Sequence, residues 1–342
     1  MITERQQSIL NLIVGDYIQT ASPIASESIA RSHGVGVSAA TIRSEVAHLE
    51  DEGYITRPHL SAGSVPLDKG YRLYVESIVE IETDQISSNV RSSVRRQVLD
   101  AEEDIDSWAG VAAEVLAQLV GNLAIATFPK VAESRVKHLE MVYLQEFLAM
   151  LIVVVEQARL RKYLIRLEEP VYPDELVMSA SRVKHQLVGL TRREIGAIEP
   201  VTHTPLEEKM VDATVLILDE EDRGAFSEHY VDGLRNLLAQ PEFSGGDQVR
   251  AVVEGVEDGS LVQAMLDETP EVGALRVVIG KEHHGDVLWP LSVVVTQYGI
   301  PGGAVGALGA IGPTRMEYFK TISSVKLLSA IMSELVEGVR SS

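Results

Sequence analysis

Arg43 sits in the run Ser38-Ala39-Ala40-Thr41-Ile42-Arg43-Ser44, where donors and small side chains surround positions that a helix would bury. Ile42, Val46 and Leu49 recur at i, i+4 and i+7, so Thr41, Arg43 and Ser44 lie off the apolar stripe and carry outward hydrogen-bonding groups. Ala39 and Ala40 keep the start of that helix slim. Such a face suits the major groove of DNA, which admits a helix about 10–12 Å across and is read by residues near its N-terminal end. Further along, Arg57, His59, Lys69 and Arg72 offer groups for backbone phosphates or for a flanking wing. Each has a plainer reading. Most protein–DNA hydrogen bonds go to the backbone, so an arginine here serves about as often as a phosphate or intramolecular partner. Ala39, Ala40 and Thr41 also fit simple packing.

Other chemistry is poorly supplied. The chain has no cysteine, which excludes disulfides, thiolate nucleophiles and cysteine-ligated zinc and suits a reducing, cytoplasmic setting. His283 and His284 with Asp286 resemble metal ligands, but adjacent histidines diverge and no second cluster stands at ligand spacing. Gly303, Gly306, Gly309 and Gly312 repeat every third residue, matching neither GxGxxG nor a phosphate-binding loop. They read as a strand in which glycine permits close backbone packing. No GxSxG elbow or HExxH pair occurs. Neither an enzyme nor a cofactor is expected.

The elements that would position the first group are legible. Thr3 with Gln6 has capping-box spacing, and Ile9, Leu10, Ile13, Val14 and Tyr17 make one helical stripe over 3–19. A short helix runs from Ser26 to about His33 with Ile29 and Ala30 inward, and Gly34 is placed to end it. Ser38 caps the next helix and Gly53 closes it. Two short helices around a glycine-containing turn make a helix-turn-helix pattern. Residues 54–57 and 64–66 can form a wing around a tip at 58–63, and a further helix starts near Asp68.

Charge alone does not suggest DNA, since the chain carries a formal −20. Residues 1–75 hold six Lys/Arg against eight Asp/Glu, so the head is near neutral and the acidity lies in the body. The acidic run 100–106 reads as a solvated helix face. The first residues lack a basic region and a small-residue cleavage site, so no signal peptide is expected. Residues 287–314 are long enough to suggest a membrane span, but Pro290, Pro301 and six glycines favour two buried strands joined at 299–303.

Beyond the head, strand-like runs at 123–128, 136–144 and 147–156 suggest an antiparallel meander. Helix is expected at 173–189, 205–212, 231–238 and 246–268, and strand at 215–218. Strands at 275–280, 291–298 and 304–311 precede a last helix over 316–337. Strands flanking a helical insertion imply an α+β body interrupted by a second domain.

Several stretches together resemble the HrcA heat-inducible transcription repressors. They are TERQQSILNLIVGDYIQTASPIASESIA, VSAATIRSEVAHLEDEGYI and PHLSAGSVPLDKGYRLYV in the head, then GLRNLLAQPEF at 233–243, VVIGKEH at 277–283 and GALGAIGPTRMEYFKTISSV at 306–325. The resemblance spans nearly the whole chain. It implies a winged-helix head at 1–82, a GAF-like domain at 83–172 and 246–342, and an inserted dimerisation domain at 173–245. It also implies a cytoplasmic homodimer that represses chaperone operons from an inverted-repeat operator, is released on heat stress, and is kept active by the GroE chaperonin. A small-molecule-responsive regulator, sensing a ligand through the GAF-like domain, is the alternative.

The chain departs from the family at the wing, where HTSAGRIPTDKGYR is usual and Leu60, Ser64 and Leu67 replace Thr, Arg and Thr. Ser44 stands where Asn is frequent, and Glu27 where Lys is. Each change removes a donor or a positive charge from the DNA face. Weaker operator binding is expected, with Ser64→Arg raising affinity and steepening its salt dependence by about one unit.

Overall fold

A computed structural model describes residues 2–32, 38–59, 62–79, 88–99, 105–131, 134–155, 160–198, 203–223, 229–285 and 288–340. It divides into two compact units: 1–129 with 229–301 and 305–342, and Lys130–Glu228 with Gly302–Ala304.

The first unit opens with α1 (Glu4–Thr20), α2 (Ser26–Ser32) and α3 (Ala39–Asp51). The Thr3–Gln6 capping box is present, and Ile9, Leu10, Ile13, Val14 and Ile18 are buried, whereas Tyr17 is only half-buried. Two-residue strands β1 (Ile55–Thr56) and β2 (Val65–Pro66) pair antiparallel, and α4 (Asp68–Val79) follows. Gly53 has a φ of 74°, which suits glycine where α3 turns into β1. His33, Gly34, Leu60, Asp286 and 100–104 lie outside the described residues.

Helices α5 (Ser88–Leu99) and α6 (Ile105–Val120) lead into β3 (Leu123–Thr127) and, in the second unit, β4 (Lys130–Val131), β5 (Val136–Gln145), β6 (Leu148–Val155) and β7 (Leu160–Arg166). Helices α7 (Pro173–Leu187), α8 (Arg192–Gly196) and α9 (Pro205–Arg223) complete that unit. The first unit resumes with β8 (His229–Asp232), α10 (Leu234–Leu238), a 3-10 turn at Pro241–Ser244, α11 (Gly246–Glu257) and α12 (Ser260–Asp267). It ends with β9 (Leu275–Ile279), a 3-10 turn at Gly280–Glu282, β10 (Leu291–Gly299), β11 (Ala304–Pro313) and α13 (Tyr318–Arg340).

The sheet of the first unit runs β8-β3-β11-β10-β9, every neighbouring pair antiparallel. Leu123, Ile125, Val293, Val295 and Ile311 pack with Val252, Leu261, Val262 and Met265 of α11 and α12 on one face. The alternate residues, Ala124, Ala126, Val294 and Ala310, are equally buried, and α6 and α13 pack against this sheet. A sheet covered on both faces needs apolar side chains at successive positions, which explains the unbroken LSVVV run. Residues 291–313 are therefore a buried hairpin, and among the described residues no helix is long and apolar enough to cross a membrane. The glycine series serves close packing. A Cβ at Gly306 would lie 2.5 Å from the Tyr298 ring, and one at Gly309 would lie 2.8 Å from Met265 Sδ.

In the second unit β5-β6-β7 form an antiparallel meander whose inner face, including Leu139, Leu151, Val153 and Ile165, packs on Val183 and Leu187 of α7 and Met210 and Ile217 of α9.

Four expectations need correction. Residues 215–218 are not a strand but the last part of α9, where Met210, Ala213, Ile217 and Leu218 recur on one buried face. The helix expected over 246–268 breaks at Gly259, whose φ of 76° starts α12 afresh. The helix expected over 231–238 begins only at Leu234, because Val231 and Asp232 belong to β8 and pair with β3. The run 123–128 joins no meander with 136–156; β3 pairs instead with β11 and β8. Residues 130–172 pack in the second unit and 229–245 in the first.

Candidate nucleic-acid interface

Helix α3 is built as its sequence suggests. Ser38 Oγ accepts from the Thr41 amide at 3.2 Å, and the Ser38 and Thr41 hydroxyls lie 3.0 Å apart. Ile42, Val46 and Leu49 are buried, while Ser38, Ala40, Arg43, Ser44 and His48 are exposed and Thr41 is half-buried. One exposed stripe thus runs from Ala40 through Arg43 and Ser44 to His48. His48 escaped the sequence reading, although its place four residues beyond Ser44 puts it on the same face.

The cations do not stand free. Arg43 Nη2 donates to Glu27 Oε1 of α2 at 2.9 Å, with both side chains about 60% exposed. Arg57 Nε donates to Glu50 Oε2 at 2.8 Å, and that hydrogen bond holds the Glu50 carboxyl below its ordinary range. Lys69 Nζ donates to the Glu52 carbonyl at 2.7 Å and lies 4.1 Å from the Tyr54 ring centroid. Arg57 and Lys69 therefore gather near the C-terminal end of α3, and His59 is exposed beyond β1. Exposed pairs of this kind contribute about 0–1 kcal/mol, so phosphates can replace the carboxylates at little cost.

Arg72 is elsewhere. Its Nε donates to Glu282 Oε1 at 2.8 Å and its Nη2 to the Val277 carbonyl at 2.6 Å, so it faces the body rather than the α3 stripe. Ser64 also differs from expectation. It is 2% exposed. Its amide donates to Ile24 O at 2.8 Å, and its carbonyl accepts from Ile24 N at 2.9 Å. The neighbouring Gly63 has no room for a Cβ, which would lie 2.5 Å from the Ile24 carbonyl carbon. An arginine at 64 would thus enter a packed seam instead of adding a surface contact.

The model of the HrcA protein C-terminal domain matches residues 106–322. A heat-inducible transcription repressor HrcA of Dehalococcoides mccartyi is 37% identical over 98% of this chain and 96% of its own length. The chain belongs to the HrcA family. Its Chloroflexus aurantiacus relative, also named heat-inducible transcription repressor HrcA, is 33% identical over 98% of this chain and 94% of its own. The crystal structure of a hypothetical protein, 20% identical, shares the fold of this HrcA-family chain with a TM-score of 0.63 over 99% of both chains. Family membership over nearly the full length makes the protein a repressor of heat-inducible transcription.

Proposed function

We propose that residues 1–82 form a winged helix-turn-helix in which α3 enters the major groove of an operator. Ser38, Ala40, Thr41, Arg43 and Ser44 lie at the groove, with Arg57, His59 and Lys69 on backbone or wing contacts. The observation that supports this best is the exposed α3 stripe, slim at its N-terminal end and braced by α2 and the β1–β2 hairpin. Arg72 drops out of the contact set because its guanidinium is committed to the body.

Inverted repeats call for a two-fold dimer. The outer face of the β5-β6-β7 meander supplies a surface, with Val142, Met150 and Leu164 in one cross-strand row and Leu144 and Leu160 exposed nearby. Two copies meet there, through the unit inserted into a GAF-like body. Leu164→Asp should drive the protein toward monomer in sedimentation; an unchanged dimer places the interface elsewhere.

The test of function is a fluorescence-anisotropy titration on an inverted-repeat operator and a scrambled duplex, with and without chaperonin, using cytoplasm-like salt. Preference for the operator, strengthened by chaperonin, supports the whole reading. Equal binding to both duplexes sinks the operator assignment. A second reading rests on a groove of about 900 Å³ lined by Arg72, Glu76 and Lys326 together with Val75, Leu275 and Val277, which suits a small ligand with both polar and apolar parts. A thermal-shift screen that finds a tight metabolite would favour it.

A further inference from the structure

Three of the most distinctive stretches of this sequence, DKGYR, VVIGKEH and IGPTRMEY, meet at the seam between the head helices and the body sheet. Around Arg72, the Asp68 carboxylate accepts from the Lys281 amide at 3.0 Å. Gly280 has a φ of 54°, and a Cβ there would lie 2.5 Å from Asp68 Oδ2, so the turn at 280–282 is seated directly on the start of α4. The Arg72 fork closes on Glu282 and on the Val277 carbonyl of β9.

A second clasp holds the other end of the head. The Arg315 side chain is only 12% exposed. Its Nε donates to Glu242 Oε1 at 2.6 Å, Nη2 to Gln240 Oε1 at 2.8 Å, and Nη1 to the Ile18 carbonyl at 3.0 Å. Ile18 lies in the last turn of α1, where a cation meets carbonyls left without helical partners. Between the clasps, the Tyr71 and Tyr318 rings pack with centroids 6.0 Å apart. One such contact would act as a pivot. Two, on α4 and α1, with buried rings between them, remove rotation.

We propose that Arg72 and Arg315 are positioning residues of the head: without touching DNA, they set the angle at which α3 is presented and so the half-site spacing accepted. The proposal rests on the DNA-binding reading for its consequence, but not for its geometry. In a two-fold dimer, any swing of the head changes the separation of two recognition helices that must match the helical repeat of the duplex.

Two readouts test it. The chain has no native cysteine, so Asp51→Cys on α3 and Glu257→Cys on α11 take spin labels uniquely, with unlabelled protein in excess to dilute labelled neighbours. The expected distance distribution is narrow in the parent, broad in Arg72→Leu and Arg315→Leu, and closer to the parent in Arg72→Lys, which keeps a cationic donor at that position. On DNA, the unlabelled parent should prefer one half-site spacing by about tenfold over operators lengthened or shortened by two base pairs. Arg72→Leu should flatten that preference to about twofold with unchanged affinity for an isolated half-site, and Arg72→Lys should restore much of it. A distribution that stays narrow in both leucine variants overturns the proposal. So does a fall in half-site affinity with Arg72→Leu, which would make it a DNA contact. Broadening in the variants of a protein that ignores inverted repeats would leave the seam standing and refute the operator reading instead.

Discussion

The α3 face and the head–body seam use the same pairing chemistry in opposite surroundings. On α3, Arg43 meets a single carboxylate, and both partners are largely in water. At the seam, Arg315 is almost enclosed and spends its fork on a carboxylate, an amide and a helix carbonyl together. The first arrangement can be exchanged for a phosphate or a base edge, because water already screens it and only one bond is lost. The second cannot be exchanged without stranding buried acceptors, each costing about 1–3 kcal/mol. Arginine identity therefore says little about role. The number and burial of its acceptors say more.

The strongest challenge to this contrast is Arg43→Ala. It should lower operator affinity by about 1–3 kcal/mol per head, hence about twice that for a dimer, with the dimer still folded by circular dichroism. Unchanged anisotropy curves would make Arg43 dispensable and the stripe decorative. Next comes Ser64→Arg, which the sequence alone marks as a gain in affinity. Because Ser64 is buried against Ile24, the variant should lose about 1–3 kcal/mol of stability in urea unfolding. Full stability with tighter binding would show that the side chain escapes to solvent.

A smaller effect is expected for Glu27→Lys. Removing the carboxylate that holds Arg43 and adding a cation should tighten operator binding about fivefold and steepen the salt slope by about one unit per head. No change in slope would place α2 away from the phosphates.

The smallest effect concerns pH. His283 is buried, and burial pushes its imidazole below the ordinary value, although Glu268, Leu291 and Glu282 pull the other way. Burial alone would raise Glu268, but hydrogen bonds from His284 and the charges of His284 and His283 hold it below its usual range. Arg276 also faces Glu268, at 3.5 Å. Both folded-state values lie under the unfolded ones, so this stabilisation is present at neutral pH and fades as pH falls below about 6.5. His283→Asn should flatten the upper part of that decline in thermal melts; an identical pH profile would remove His283 from the account.

Local signals carried much of this. The Thr3–Gln6 box, the Ser38 cap, the α3 stripe and the 291–313 hairpin follow from periodicity and capping within a few residues. What escaped depends on distant partners. VLIL at 215–218 is too short to tell strand from buried helix, and only packing against the β5-β6-β7 sheet decides it. LRKYLIR carries no alternating apolar signal because β7 buries one residue, Ile165. Arg72 read as a phosphate ligand because its acceptors, Val277 and Glu282, lie more than 200 residues along the chain.

The pairing of β3 with β11 has a temporal side. Leu123 is the register partner of Ile311, so the central strands of the first unit are synthesised far apart. At about 5–20 residues per second the ribosome takes about 10–40 s to deliver the later strand. Throughout that interval the edge of β3 that meets β11 is unpaired, although β8 can take its other edge earlier, whereas residues 130–228 follow one another and can fold as they emerge. Until the later strand is made, that edge of β3 is an open template for pairing with another chain.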